Sequence, residues 1–272
     1  MDDAIFPHEA QDRLAVGGEF RKIQVAVRVD EHGLLSQHRH ESGRPTSASL
    51  NAAYDLIWLT ESNNMIRVHH LNNSRSHRVL WLLEELELPY EIIAYQRDPA
   101  TMLAPPEITK IHPLGKSPVI EDGALVLAES GAILEYLVGK YANGGLAPAA
   151  GGDDHARYLY WCHFAEGSAM PPLLLKLYFS RVVTAPPPVL ARIDGQIAAQ
   201  LDYMDGELAK STFFAGAEFT AADIQMSFPI IAAASRGGLD AGRPHLWRWF
   251  AAVQQRPAFL RANQRGGTLQ LP

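Results

Sequence analysis

The stretch from Met65 to Pro89 constrains the fold of this chain more than any other. It opens with Ile66 and Val68, an apolar alternation that is typical of a short buried strand. The polar turn Asn72-Asn73-Ser74 follows, and apolar residues then recur at helical spacing until Pro89 ends the helix. The stretch therefore predicts a strand, a tight turn and an amphipathic helix.

The predicted helix runs from about Ser76 to Glu87, and its acidic residues Glu84, Glu85 and Glu87 are expected to face water. Ser74 lies where this helix begins. The free N–H groups and the positive end of the helix dipole both favour a negative charge beside it. This junction is a candidate anion-binding site.

Composition narrows the class of protein. The 272 residues are 47% hydrophobic and 20% charged, which is ordinary for a soluble globular chain. A formal net charge of −6 argues against nucleic acid as the main partner, and no apolar run is long enough to cross a bilayer. One cysteine, Cys162, excludes an intrachain disulfide. With no secretory signal near Met1, we expect a cytoplasmic protein.

Residues 1–64 differ from the rest and are expected to form a weakly ordered N-terminal extension. They hold two short apolar runs, at 23–29 and 56–59, around a polar stretch that contains three histidines. His38 and His40 lack Cys, Asp or Glu at ligand spacing, so no metal site is predicted. Our hypothesis is that Met65 is the functional start of the fold.

Residues 65–145 alternate strand and helix signals. A second strand at 90–95 follows the first helix, and the turn Asp122-Gly123 then joins two short strands. A helix beginning at Ser130 closes the unit. A strand-helix-strand crossover followed by a hairpin predicts a mixed four-stranded sheet.

Residues 153–262 are helical in pattern, after a glycine-rich linker. Pro171-Pro172 is expected to kink or end the first long helix, and an apolar stripe marks the next, at about 187–210. Thr220 and Asp223 have the spacing of a capping box. Residues 263–272, after a short last helix near Pro257, are expected to be a loose tail.

Four motifs together resemble the cytosolic glutathione transferases, in their serine-type bacterial or fungal form. They occur in the family's order over residues 65–262: Asn73-Ser74-Arg75-Ser76, His112-Pro113-Leu114-Gly115-Lys116-Ser117-Pro118, Glu129-Ser130, and Phe214-Ala215-Gly216 before Thr220. The resemblance implies a thioredoxin-like domain followed by an all-helical domain. It also implies a homodimer with a role in detoxification.

The resemblance assigns Ser74 as the hydroxyl that stabilises the glutathione thiolate. Glutathione would be the co-substrate, with no other cofactor, and a small apolar electrophile the second substrate. Ser74 can equally be a helix cap, and the two roles are compatible. Arg75 and Arg78 beside it are expected to be solvated or paired. Cys162 is expected to be a small core residue.

The resemblance also assigns residues to the rest of glutathione. The backbone of Ser117, before a cis Pro118, would pair with the cysteinyl part, although most X-Pro bonds are trans. Lys116 would approach the glycyl carboxylate, or lie solvated in its loop. Glu129 would bind the γ-glutamyl ammonium. Ser130 would bind the neighbouring carboxylate, or simply cap its helix.

Two other functions stay open. A bound thiolate could reduce peroxides or disulfides, although the turn from Asn72 to His77 has no cysteine for a mixed disulfide with the protein. Alternatively, the fold could serve as a non-catalytic interaction module, since fold alone does not determine function.

Overall fold

A computed structural model of the chain describes residues 13–16, 19–22, 65–181 and 186–271. The chain divides into two units, Met1–Tyr54 and Asp55–Pro272. In the first unit, β1 (Arg13–Val16) and β2 (Glu19–Lys22) form an antiparallel pair. The apolar runs at 23–29 and 56–59, and the histidines between them, lie outside the described residues.

The second unit has a thioredoxin-like part followed by a helical part, as the sequence predicts. Its elements in chain order are β3 (Ile66–Leu71), α1 (Ser76–Glu85), β4 (Tyr90–Tyr95), β5 (Val119–Asp122), β6 (Leu125–Ala128), α2 (Ser130–Tyr141), α3 (Asp153–Phe164), α4 (Met170–Phe179), α5 (Pro187–Leu208), α6 (Ala221–Ala232), α7 (Pro244–Gln254) and α8 (Pro257–Gly266). Among the described residues, no helix is both long and apolar enough to span a membrane.

The strands of the second unit form one mixed sheet in the order β4-β3-β5-β6. Strands β3 and β4 run parallel, with Val68 opposite Ile92, because α1 carries the chain back between them. Strand β5 is antiparallel to both β3 and β6. Gly123, in the left-handed conformation at φ +61°, allows the tight turn between β5 and β6. The predicted four-stranded mixed sheet is confirmed.

Helix α1 is buried on every side, which the amphipathic pattern did not predict. Glu84 is only 7% exposed and Glu85 is half-buried, so the prediction that these two face water was wrong. Glu87, just after the helix, is exposed as predicted. Helix α8 covers this side of α1 and brings arginines to the carboxylates of Glu84 and Glu85. Arg261 and Arg265 lie 2.7 and 3.1 Å from Glu84, and Arg256 lies 2.6 Å from Glu85.

Pro171 and Pro172, at the start of α4, do not end the helix but change its geometry. Helix α3 continues into α4 through a π-helical turn, Ala165–Ala169. Pro172 has no N–H, so the carbonyl of Ser168 lacks its usual partner four residues later. Gln200 of α5 supplies the missing donor, with its Nε2 2.8 Å from that oxygen. The expected kink is therefore a widened turn, a form often found at functional sites.

The apolar stripe predicted for α5 faces the core. Its buried members are Ile193, Ile197, Leu201, Met204 and Leu208. Helix α6 begins with the predicted capping box between Thr220 and Asp223. The Asp223 carboxylate, wholly buried, also accepts the backbone N–H of Phe214 at 3.1 Å and the indole N–H of Trp249 at 2.9 Å. One carboxylate thus joins the start of α6 to a loop and to α7.

The last helix is longer than the sequence indicated. Helix α8 reaches Gly266, so the tail predicted to begin at residue 263 starts inside a helix. Gly266 lies against α1, where a Cβ atom would overlap Cδ1 of Leu80. Farther on, the N–H of Gln270 donates to Oδ1 of Asn73 at 2.8 Å. The C-terminal segment therefore returns to the turn that carries Ser74.

Replacing Asp223 by alanine should lower the free energy of unfolding by about 3 kcal/mol, because buried donors of Thr220, Phe214 and Trp249 lose their acceptor. Urea denaturation measures this change. Glu218→Ala removes an exposed carboxylate just before the box and should change stability by less than about 0.5 kcal/mol. Equal effects of the two substitutions would contradict the role given to Asp223.

Candidate active site

Ser74 lies in the turn between β3 and α1, shortly before the helix begins at Ser76. It is 4% exposed, and its Oγ lies 2.7 Å from Ser76 Oγ. The same Oγ accepts the backbone N–H of Ser76 at 3.2 Å. Arg75, not Ser74, occupies the N-cap position. The Ser74 hydroxyl is therefore beside the end of α1 where the helix dipole favours a negative charge.

Ser117 and Pro118 are joined by a cis peptide bond, as the family resemblance implied. The side chain of Ser117 is bonded to β3: its Oγ donates to the carbonyl of His69 at 2.8 Å and accepts the N–H of Leu71 at 3.2 Å. The hydroxyl is thus used within the protein. This leaves the backbone of Ser117, rather than its side chain, for an incoming peptide.

Glu129 and Ser130 form the junction between β6 and α2. Glu129 is exposed and has φ +73°, a conformation that residues other than glycine rarely adopt and that occurs often at functional sites. Ser130 is buried, and its Oγ accepts a hydrogen bond from Nη1 of Arg78 at 3.2 Å. Because a guanidinium only donates, the proton of Ser130 remains for another acceptor.

Lys116 lies exposed in the loop before Ser117. Gly115 shapes this loop with φ +59°, and a Cβ at that position would lie 2.9 Å from Cγ2 of Thr109. Glycine is therefore needed there for both conformation and space. No hydrogen bond or ion pair within the described part of the chain holds the Lys116 ammonium toward the other predicted site residues.

Hydrogen bonds bring three of the predicted site residues to one strand–helix junction. Ser117 is bonded to the end of β3, Ser74 lies in the turn that follows, and Ser130 is bonded to Arg78 on α1. Lys116 and Glu129 are their exposed neighbours in sequence. The turn between β3 and α1 is thus the centre of the candidate site.

An ion-pair network behind Ser74 was not predicted. Arg78, expected to be solvated or paired, is fully buried and lies 2.5 Å from Oε1 of Glu166. The Nε of Arg75 lies 2.9 and 3.0 Å from the two oxygens of the same carboxylate. Both guanidinium groups also lie over the ring of Phe228. Glu166 is on the π turn, 88 residues after Arg78, so local spacing could not reveal the pair.

The charges in this network depend on one another. Burial lowers the pKa of Arg78 to about 10, although the charge of Glu166 opposes the change. Burial alone would raise the pKa of Glu166, but the charges and hydrogen bonds of Arg78 and Arg75 outweigh it and lower that pKa. Nε and Nη2 of Arg78 have no hydrogen-bond partner among the described residues. Glu166 is therefore the main compensation for burying this guanidinium.

The single cysteine of the chain is not an activated nucleophile. Cys162 is half-buried in α3, and burial raises the pKa of its thiol to about 12. It is therefore protonated at neutral pH and unreactive, consistent with its interpretation as a packing residue. Within the described ranges, no three His, Cys, Asp or Glu side chains are grouped as metal ligands would be.

Aromatic side chains of the helical part, together with Met170, lie mostly in the core. Tyr158, Trp161 and Met170 are 2%, 1% and 1% exposed, whereas Tyr178 is 60% exposed. None of these four lines the cavity beside His70 and Gly266 or the cavity between Leu175 of α4 and Ile193 of α5. The sequence pattern therefore does not locate the pocket for a second substrate.

Comparisons with known proteins agree with this architecture. The N-terminal and C-terminal domain families of glutathione S-transferases match residues 64–139 and 187–252. Glutathione S-transferase 3 of Schizosaccharomyces pombe is 40% identical over 207 residues, covering 71% of this chain and 85% of that protein. A glutathione S-transferase structure from Actinobacillus pleuropneumoniae superposes with a TM-score of 0.70 at 34% identity, covering 76% of this chain and 95% of that one.

A glutathione transferase family member from Pseudomonas fluorescens, solved with two glutathione bound, superposes with a TM-score of 0.64 at 26% identity. The superposition covers 77% of this chain and 97% of the Pseudomonas fluorescens chain. The chain therefore belongs to the glutathione S-transferase family and is an enzyme of that class. The family that the motifs indicated is confirmed, and the serine-type form stays a prediction.

Replacing Glu166 by glutamine should lower the free energy of unfolding by about 2 kcal/mol at neutral pH, because buried Arg78 loses its counter-ion. The loss is less than for a fully buried pair, since the Glu166 side chain is 34% exposed. The folded pKa of Glu166 is lowered, so this stabilisation is present above the ordinary value of 4.5 and is lost as pH falls through the folded pKa.

Urea unfolding of both proteins between pH 7 and pH 3 checks this, and the difference between them should shrink on acidification. Glu207→Gln is the matched control, because it breaks an exposed pair with Lys210. That change should cost less than about 0.5 kcal/mol. Similar losses in the two variants, or a difference independent of pH, would contradict the assignment.

Proposed function

We propose that this glutathione S-transferase conjugates glutathione to a small apolar electrophile, with Ser74 as the catalytic residue. The thiolate sulfur attacks an electrophilic carbon, a carbon–sulfur bond forms, and the leaving group departs with its electron pair. The observation that carries the proposal is the buried Ser74 hydroxyl beside the start of α1. A hydroxyl in this position can donate a hydrogen bond to the thiolate and so stabilise it.

Ser74 and the N-terminus of α1 can supply the stabilisation that the thiolate requires. An unperturbed thiol has a pKa of about 8.5, so only a few per cent is thiolate at neutral pH. Lowering that pKa to about 6.5 requires about 2.7 kcal/mol in favour of the anion. A hydrogen bond to a charged acceptor contributes about 1.5–3 kcal/mol, and a helix N-terminus about 0.3–1 kcal/mol. Ser74 and α1 can therefore supply it together.

The remaining residues suit the rest of glutathione. The backbone of Ser117 pairs with the cysteinyl part as an added strand would. Ser130, whose oxygen already accepts from Arg78, directs its proton to the γ-glutamyl carboxylate. Glu129, exposed next to it, binds the ammonium group. Lys116 contributes a mobile positive charge toward the glycyl carboxylate.

Peroxide reduction by the same thiolate would use the same site. Turnover on a halogenated aromatic compound, compared with turnover on an organic hydroperoxide, separates the two reactions. The environment of Cys162 offers no support for disulfide exchange by the protein itself. The homodimer and the detoxification role stay predictions from the family resemblance, and the cytoplasmic location stays a prediction from the sequence.

Replacing Ser74 by alanine should raise the pKa of the bound thiol by about 1.5 units and lower kcat/KM for conjugation about 30-fold, because the thiolate loses its donor. Ultraviolet absorbance of the thiolate against pH gives the first value. Ser74→Thr, which keeps a hydroxyl, should restore most of the rate. Ser211→Ala, which removes a half-buried hydroxyl remote in sequence, should have no effect. An unchanged thiol pKa in Ser74→Ala would refute the role.

Replacing Glu129 by glutamine should raise KM for glutathione about tenfold and leave kcat nearly unchanged, because an ion pair remote from the sulfur is lost. Steady-state kinetics with the electrophile held saturating provide the measurement. Glu135→Gln, on α2, is the control for loss of a nearby negative charge. A large fall in kcat with unchanged KM would show that Glu129 acts on the reaction step instead.

A further inference from the structure

A chain of hydrogen bonds runs inward from Ser74. Its Oγ lies 2.7 Å from Ser76 Oγ, which lies 2.8 Å from Nδ1 of His70. The other ring nitrogen of His70, Nε2, lies 2.9 Å from the carbonyl oxygen of Gly266. Ser74, Ser76 and His70 are all buried. The conjugation mechanism described above uses only the first of these groups.

The carbonyl group of Gly266 determines which group donates and which accepts in each of these hydrogen bonds. A carbonyl oxygen can only accept, so Nε2 of His70 carries a proton and Nδ1 of the neutral ring is an acceptor. Ser76 then donates to Nδ1, and its oxygen accepts the proton of Ser74. The proton of Ser74 is therefore engaged inside the protein in this state, and a thiol in the site would meet the oxygen instead.

Among the described residues, the proton of Ser76 has two other possible acceptors, Ser74 Oγ at 2.7 Å and the carbonyl oxygen of Leu71. Donation to Ser74 would leave lone pairs of Ser76 Oγ and His70 Nδ1 facing each other at 2.8 Å. The carbonyl oxygen of Leu71 lies 3.3 Å from Ser76 Oγ. That contact is longer than the bond to His70, and donating there would leave the same two lone pairs facing each other. The chain through His70 is the arrangement that satisfies all of these groups.

We propose that Ser76 and His70 form a proton relay that takes up the thiol proton of bound glutathione. This inference rests on the proposed role of Ser74. The S–H bond breaks, its electron pair stays on sulfur, and the proton passes to Ser74 Oγ. The former proton of Ser74 moves to Ser76 Oγ, and that of Ser76 moves to His70 Nδ1. A neutral thiol and a neutral imidazole become a thiolate and an imidazolium.

The product state satisfies each group again. Ser74 now donates to the thiolate and Ser76 donates to Ser74. His70 donates from Nδ1 to Ser76 and from Nε2 to Gly266. The transfer thus gives Ser74 the outward proton that stabilisation of the thiolate requires. After the thiolate has reacted, the proton returns through the same groups to the leaving group or to water.

The surroundings of His70 suit a proton acceptor that is neutral before glutathione binds. Burial lowers the pKa of His70, although the bond to Gly266 opposes this. Of the described residues that line the cavity of about 370 Å³ beside it, only His77 of α1 can also ionise. Burial lowers the pKa of His77 to about 4, so it too is neutral at pH 7.

The thiolate is therefore the charge that compensates an imidazolium at His70. The attraction between these opposite charges favours the transfer, and the positive end of the α1 dipole favours the thiolate. Both effects act against the difference of about two units between the ordinary pKa values of a thiol and an imidazole, a difference that burial of His70 widens. His70 and Ser76 act through Ser74 and are positioning residues.

Counting the protons released when glutathione binds tests the relay. Ultraviolet absorbance gives the thiolate formed, and calorimetry in buffers of different ionisation enthalpy gives the protons released. We expect close to zero protons per thiolate in the wild-type protein, because the proton stays on His70. A release near one proton per thiolate would overturn the relay and leave the role of Ser74 intact. Absence of any thiolate would overturn both.

Two variants interrupt the relay at different points. Ser76→Ala removes its middle group, and His70→Asn keeps an acceptor near the position of Nδ1 that cannot hold the proton. In each, the thiol pKa should rise by about one to two units, and about one proton should be released per thiolate. Because the variants are independent, one that folds is sufficient.

His77→Gln is the matched control, since it replaces the neighbouring buried histidine and can keep the contact with Asn263. It should release as few protons as the wild type. A Ser76→Ala or His70→Asn protein that forms thiolate without releasing a proton would overturn the relay.

Discussion

Helix α1 is buried on every side, and the polar contacts around the candidate site depend on this burial. A polar group removed from water must be hydrogen-bonded or paired, so each polar side chain of this helix requires a partner from elsewhere in the chain. The partners are His70 for Ser76, Asn263 for His77, Glu166 for Arg78, and Arg261 and Arg265 for Glu84. The packing that stabilises α1 therefore also determines the surroundings of Ser74 at its start.

The partners of α1 connect the helical part to the candidate site. Glu166 lies on the π turn of the helical part, yet it neutralises Arg78, which in turn holds Ser130. Gly266, at the end of α8, determines the tautomer of His70. The helical part of this glutathione S-transferase thus organises groups behind the candidate site.

Local signals predicted most of the fold correctly. The strand–turn–helix at Met65–Pro89, the hairpin around Gly123 and the capping box at Thr220 were all recognisable, because each is set by residues within a few positions of one another. The family motifs located Ser74, Ser117 and Ser130, which the structure gathers at one junction. The water-facing interpretation of Glu84 was wrong because its partners are 177 and 181 residues away.

The sequence by itself determined the order of strands and helices, the mixed sheet, the helical second domain and the family, since periodicity, turns and short motifs are local properties of the chain. Only the tertiary structure decided that α1 has no solvated face, that Glu166 pairs with Arg78, and that His70 is joined to Ser74 through Ser76. These features depend on which distant segments cover a helix. Burial makes their hydrogen bonds obligatory, and no local pattern reports it.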